Sequence, residues 1–208
     1  MPASRPVPWR ERLLRAVLFT AGLAPAARLL VLGVRDELGA NPVEFVTRSS
    51  GTWTLVMLCV VLAVSPLRRL TGWQSLVRMR RMLGLLCFAY ACLHLLAYVW
   101  FDQWFEVTSV LRDVLKRPFI AAGALAFVLL VPLALTSTNA MVRLLGRRWA
   151  ILHRAVYAVA VLAVLHYAWH KAGKNDLFEP LVYGVVLAVL IGLRAWPRRR
   201  GAGQTPQP

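Results

Sequence analysis

The chain has 208 residues, of which 59% are hydrophobic, and a formal net charge of +16. Soluble domains are about 45–50% apolar; the excess here is gathered in long blocks, which argues against a soluble fold and for a membrane protein. The basic residues cluster at the block ends rather than in a stripe interleaved with aromatics, so they read as orientation signals and not as a nucleic-acid surface.

Four arginines (Arg5, Arg10, Arg12, Arg15) precede the first apolar block. No small-residue cleavage site follows a short apolar core, so the block reads as an uncleaved span rather than a signal peptide. Six blocks approach the roughly 20 apolar residues that a helix needs to cross a bilayer: 13–34, 52–67, 82–101, 118–135, 149–169 and 180–196. The second is the shortest, and its helix can start as early as Pro42. Pro118 and Pro180 open helices, where a missing N–H costs little. Pro132 lies inside the fourth span and should kink it. No internal repeat is evident. The expected fold class is an all-α integral membrane protein, a six-transmembrane-helix bundle. One domain covers 13–196, with a cytoplasmic N-terminal tail 1–12 and a disordered cytoplasmic tail 197–208.

Six spans put both termini on one side. With that side inside, the inner segments hold sixteen basic residues, grouped near 5–15, 68–81, 143–148 and 194–200, against eight outside; Arg154 falls within the fifth span. The excess places both termini in the cytoplasm. Eight of the nine acids then lie outside, Glu11 being the exception. Trp53, Trp100, Trp104, Trp149, Trp169 and Trp196 fall near expected interfaces, where indole is at home. Cys59, Cys87 and Cys92 all lie in apolar blocks, with no CxxC or CxxCH, so they read as small buried hydrophobes.

The histidines are the unusual feature. His94 lies in the third block, while His153, His166 and His170 lie in or near the fifth. Polar groups at membrane depth are costly and face the bundle interior. At about 1.5 Å per residue, His94 lies roughly 20 Å from the inner boundary, His166 roughly 27 Å and His153 roughly 7 Å. The natural pair is His94 with His166, in the outer half of the membrane. Two imidazoles from facing helices are what a b-type haem requires: both axial positions are filled, which suits electron transfer. His153 and His166 differ by roughly 140° around their helix, so they cannot serve one haem. His153 could serve a second haem, one per leaflet, but no histidine stands opposite it; Met79, Arg80, Arg81 and Met82 are the nearby groups, and its partner is left open. His170, near the outer surface, suits a propionate contact or interfacial anchoring. No HExxH is present, and no carboxylate lies within the spans to act as a metalloprotease base or a transporter's proton site.

Several segments carry a resemblance: "NPVEFVTRSSGTWTL", "SPLRRLTGWQSLVRMRRMLGL", "YACLHLLAYVW", "KRPFIAAG", "LALTSTNAMVRLLGRRWAILHRAVY" and "LHYAW". Together they resemble the MsrQ (YedZ) family, the haem-binding membrane subunits of the bacterial periplasmic methionine sulfoxide reductase system, over about residues 13–196. Ser65 replaces the threonine that usually opens the second motif. The wider superfamily is that of ferric reductase-like transmembrane domains, which hold two haems between two helices with two histidines each. Here the third span has only His94, with Arg80 where an inner histidine would stand.

The resemblance implies a ferric reductase-like cytochrome b of the inner membrane, with haem b (one or two) at His94 and His166, His153 serving a second haem where there are two, and also FMN. It implies electrons from membrane quinol or a cytosolic flavin reductase, delivered to the periplasmic molybdopterin subunit MsrP for repair of oxidised periplasmic proteins. The chain would then be an electron-transfer subunit rather than the catalyst, with membrane lipid as its surroundings. The arginines of 68–81 and 143–148 form a cytoplasmic surface that could take a flavin phosphate or lipid headgroups. Three alternatives stand beside this reading: a ferric or cupric reductase with another acceptor, a histidine-based proton-coupled transporter, and a purely anchoring subunit.

Overall fold

The computed structural model describes residues 8–173 and 175–195. All its regular elements are helices: α1 (Trp9–Val34), α2 (Pro42–Thr71), α3 (Ser75–Ala97), α4 (Val107–Lys116), α5 (Pro118–Leu135), α6 (Asn139–Leu145), α7 (Arg147–Leu152), α8 (Ala155–Ala172) and α9 (Phe178–Ala195). A π-helical turn, Tyr98–Asp102, prolongs α3. Six stretches are long and apolar enough to cross a membrane: Trp9–Val34, Pro42–Thr71, Ser75–Asp102, Pro118–Leu135, Arg147–Ala172 and Phe178–Ala195. The fold is the expected all-α six-span bundle. Lys174, Trp196 and the expected tail 197–208 lie outside the described residues, as do residues 1–7.

The helix ends follow local chemistry. Asn41 caps α2 by accepting from the Glu44 N–H at 3.1 Å, Pro42 supplies the first helical residue, and Arg48 pairs with Glu44 at 2.7 Å. That cap starts α2 ten residues before the apolar block at 52. Gly72, at φ +69°, ends it with an N–H to the Arg68 carbonyl. Thr138 caps α6 through the Met141 N–H. The fifth span is not one helix: α7 stops at Leu152, and His153 and Arg154 form a turn before α8 begins. Pro132 lies inside α5, which ends three residues later at Leu135. Hydropathy does not anticipate α4, which is too short to span; its apolar row Val107, Leu111 and Leu115 is exposed.

Two hairpins carry the packing, α2 against α3 and α5 against α8. Helix α9 fits against α2 and α8, and α1 against α2 and α3. Leu58, Leu62, Met79, Cys87 and Val159 lie at the centre of the core. In lipid such packing gains little from the hydrophobic effect, so close contact and interhelical hydrogen bonds hold the bundle together. At the end of the bundle where α1 begins, buried Glu11 of α1 pairs with Arg78 of α3, so this acid fastens two spans.

The two hairpins share one local pattern. Gly51 of α2 and Gly123 of α5, and His94 of α3 and His166 of α8, stand 72 residues apart. The pattern places one histidine on the second helix of each hairpin, at the same height.

Candidate functional site

The rings of His94 on α3 and His166 on α8 meet at the bundle interior, with centroids 6.0 Å apart and planes inclined at 76°. They lie near the end of the bundle where α2 and α5 begin. The Nδ1 of His94 donates to the Thr47 carbonyl at 2.9 Å, and the Nδ1 of His166 to the Phe119 carbonyl at 2.6 Å. A carbonyl can only accept, so both rings must carry their proton on Nδ1. Each Nε2 is left with a lone pair, the state in which imidazole ligates a metal, and a hydrogen bond behind the ligand raises its basicity.

The pair therefore has the donor set of a bis-imidazole iron site. Metal–imidazole bonds of about 2 Å on either side of an iron would separate ring centroids by about 6 Å, in keeping with the observed spacing. Among the described residues, two buried side-chain polar atoms have no hydrogen-bond partner: Thr47 Oγ1 beside His94, and His153 Nε2. Such atoms usually mark a missing group or water. No cluster of three or more His, Cys, Asp or Glu among the described residues could hold a bare metal ion. The arrangement thus suits a macrocycle that brings its own equatorial ligands.

On the α4 side of the pair, the Phe119 ring lies 6.1 Å from His166 and 5.6 Å from His170. His170 stands one turn beyond His166 and is exposed. Tyr98, one turn beyond His94, donates to Asp113 at 3.1 Å, and Gln103 joins it at 3.0 Å. These contacts tie the π-turn to α4 beside the histidine pair.

His153 is not brought to the other two. It sits towards the opposite end, in the break between α7 and α8. Its ring stacks on Trp149 at 3.9 Å, and its Nδ1 donates to the Trp149 carbonyl at 3.1 Å. It too holds its proton on Nδ1, with Nε2 buried and unbonded. Arg80 lies within electrostatic reach of His153, and so across from the break as its place on α3 suggests.

Sequence reasoning singles out the three imidazoles but misses Thr47, Gly51, Phe119 and Gly123. Thr47 and Phe119 act through backbone carbonyls, which every residue type has. The available signal was the spacing: each acceptor precedes its histidine by 47 residues.

Comparison with known proteins gives a consistent picture. Residues 50–164, more than half of the chain, match the ferric reductase like transmembrane component family. The chain is 60% identical over 193 residues to the protein-methionine-sulfoxide reductase heme-binding subunit MsrQ of Bordetella parapertussis, covering 92% of this chain and 94% of that relative. It is 56% identical over 205 residues to the same subunit of Ralstonia nicotianae, with 98% and 94% covered. With that of Herminiimonas arsenicoxydans it shares 53% over 203 residues, with 96% and 93% covered.

Proposed function

The chain belongs to the MsrQ family of ferric reductase-like haem-binding membrane subunits, and from that premise we propose that it carries electrons across the bacterial inner membrane to a periplasmic methionine sulfoxide reductase. The donor is the quinone pool or a cytosolic flavin reductase. The receiver is the molybdopterin subunit MsrP, and both termini face the cytoplasm. The single observation that carries the reading is the ring pair: two neutral imidazoles from opposite hairpins, 6.0 Å apart, each with Nδ1 committed and Nε2 available.

In this reading His94 and His166 would hold a b-type haem through their Nε2 atoms. When bound, the haem would supply one-electron chemistry. The protein's own work is positional. Thr47 and Phe119 carbonyls fix each ring's orientation and tautomer. The apolar walls of α2, α3, α5 and α8 exclude water. His153, with its unbonded Nε2, is assigned to a second haem towards the cytoplasmic side, with its opposite ligand left open.

FMN belongs to the same proposal through its phosphate, which would meet the cytoplasmic arginines. Of these, Arg69 holds the Leu193 and Arg194 carbonyls, Arg78 holds Glu11 and Arg81 holds Asn139. Arg68, Arg143, Arg147 and Arg148 remain to receive it.

A reoxidation experiment tests the electron path. Purified protein in proteoliposomes is reduced with a quinol analogue, and the haem absorbance is followed after addition of MsrP with a methionine sulfoxide peptide. Reoxidation that requires both components is the expected result. Reoxidation by ferric or cupric chelates but not by MsrP would make the chain a metal reductase instead.

A further inference from the structure

Two glycines lie directly against the paired imidazoles. A Cβ placed on Gly51 of α2 would stand 3.0 Å from His94 Cε1 and 3.1 Å from its Nδ1. A Cβ placed on Gly123 of α5 would stand 2.8 Å from His166 Nδ1 and 3.0 Å from its Cε1. Each glycine follows by four residues the carbonyl that its histidine uses: Thr47 before Gly51, Phe119 before Gly123.

That offset has a physical reason. In a helix every Cα–Cβ bond leans towards the N-terminus, so the side chain at position i+4 covers the carbonyl of position i. This carbonyl already accepts one bond within the helix, and its second lone pair is open only from the outside. Any side chain at residue 51 or 123 would occupy the space through which the imidazole reaches that lone pair. Glycine is the one residue that leaves the approach clear. The same triplet of carbonyl, glycine and histidine occurs in both hairpins with the same separations. The acceptors Thr47 and Phe119 differ in every side-chain property, while the glycines are the same.

We propose that Gly51 and Gly123 are positioning residues for the paired histidines. Each opens a helix surface so that the Nδ1–Cε1 edge of one imidazole can approach it, bond the carbonyl four residues back, and hold Nε2 at a fixed angle. The site is then two equivalent half-sites, each contributing one ligand and one glycine bed. This rests on the haem reading of His94 and His166.

The test compares Gly51→Ala and Gly123→Ala with Gly84→Ala. Gly84 lies on α3 with His94, and a Cβ there meets nothing within 4 Å. Each protein is purified with haem available, haem per chain is quantified, and low-spin ferric EPR g-values and the midpoint potential are recorded. Both bed variants should show displaced g-values or at least a twofold loss of haem per chain. The effect should be larger for Gly123→Ala, whose nearest atom is the ligand's own Nδ1. Gly84→Ala should match the wild type. Wild-type g-values, potential and haem content in both bed variants would overturn the proposal while leaving the haem reading intact. If Gly123→Ala does not accumulate in the membrane, the milder Gly51→Ala decides alone. A wild-type protein without haem would instead remove the reading beneath it.

Discussion

Tyr90 shows what one hydroxyl can do in a span. It donates to the Gly22 carbonyl at 2.8 Å and accepts from the Ala26 N–H at 3.1 Å. Those two groups are four residues apart in α1 and would otherwise bond each other. The hydroxyl is therefore inserted into the ladder of α1 beside Pro25, a recognised cause of helix distortion. Tyr90 is only 3% exposed, so no water can replace it. Replacing it with phenylalanine leaves two backbone groups to rearrange, at a cost of about 1–3 kcal/mol. Tyr90→Phe should lower the melting temperature in detergent while leaving the haem spectrum unchanged. An unaltered melting temperature would mean that α1 closes its own ladder without strain. The histidines belong to this scale too. Helical rise along the sequence is enough to single out His94 and His166 as partners in depth. It says nothing of the carbonyls behind them, because a backbone acceptor carries no residue identity.

Among the elements, α2 and α9 hold each other by a reciprocal exchange. Arg69 of α2 donates to the Leu193 and Arg194 carbonyls at the end of α9, at 2.8 and 3.0 Å. Arg194 donates in turn to the Leu62 and Val61 carbonyls of α2, both at 2.9 Å. Pro66 explains why α2 can receive it: proline has no N–H, so the Leu62 carbonyl four residues earlier lacks its helical partner. Arg194→Ala should destabilise the protein, and Pro66→Ala should partly rescue it by restoring that partner. A double-mutant cycle should show coupling of about 0.5–3 kcal/mol; strict additivity would separate the arginine from the proline. From the sequence alone Arg69 and Arg194 read as topology signals, because charge at a span end looks the same whether it meets a headgroup or a carbonyl. Helix α4 escapes for another reason. Its ten residues alternate apolar and charged faces, and a window sized for a membrane span averages them away.

For the whole molecule, the six spans and their order are legible because each needs a long apolar run, and the described residues hold six. The equivalence of the two hairpins is not legible, because packing in lipid asks only for apolar residues of suitable size and so erases sequence identity. What survives is the part with fixed geometry, a glycine and a histidine in each half. That pattern gives the central claim its form: one cofactor site assembled from two equivalent halves, with His153 apart at the other end. The most direct measurement is a reduced-minus-oxidised absorption spectrum of detergent-purified protein, with haem quantified per chain, for the wild type and for His94→Ala, His166→Ala and His153→Ala. The account predicts a bis-histidine b-type spectrum in the wild type. The His94 and His166 variants should lose the same haem while still inserting, and the His153 variant should keep it. Normal haem content in both the His94 and His166 variants, or none in wild-type protein made with haem available, would contradict it.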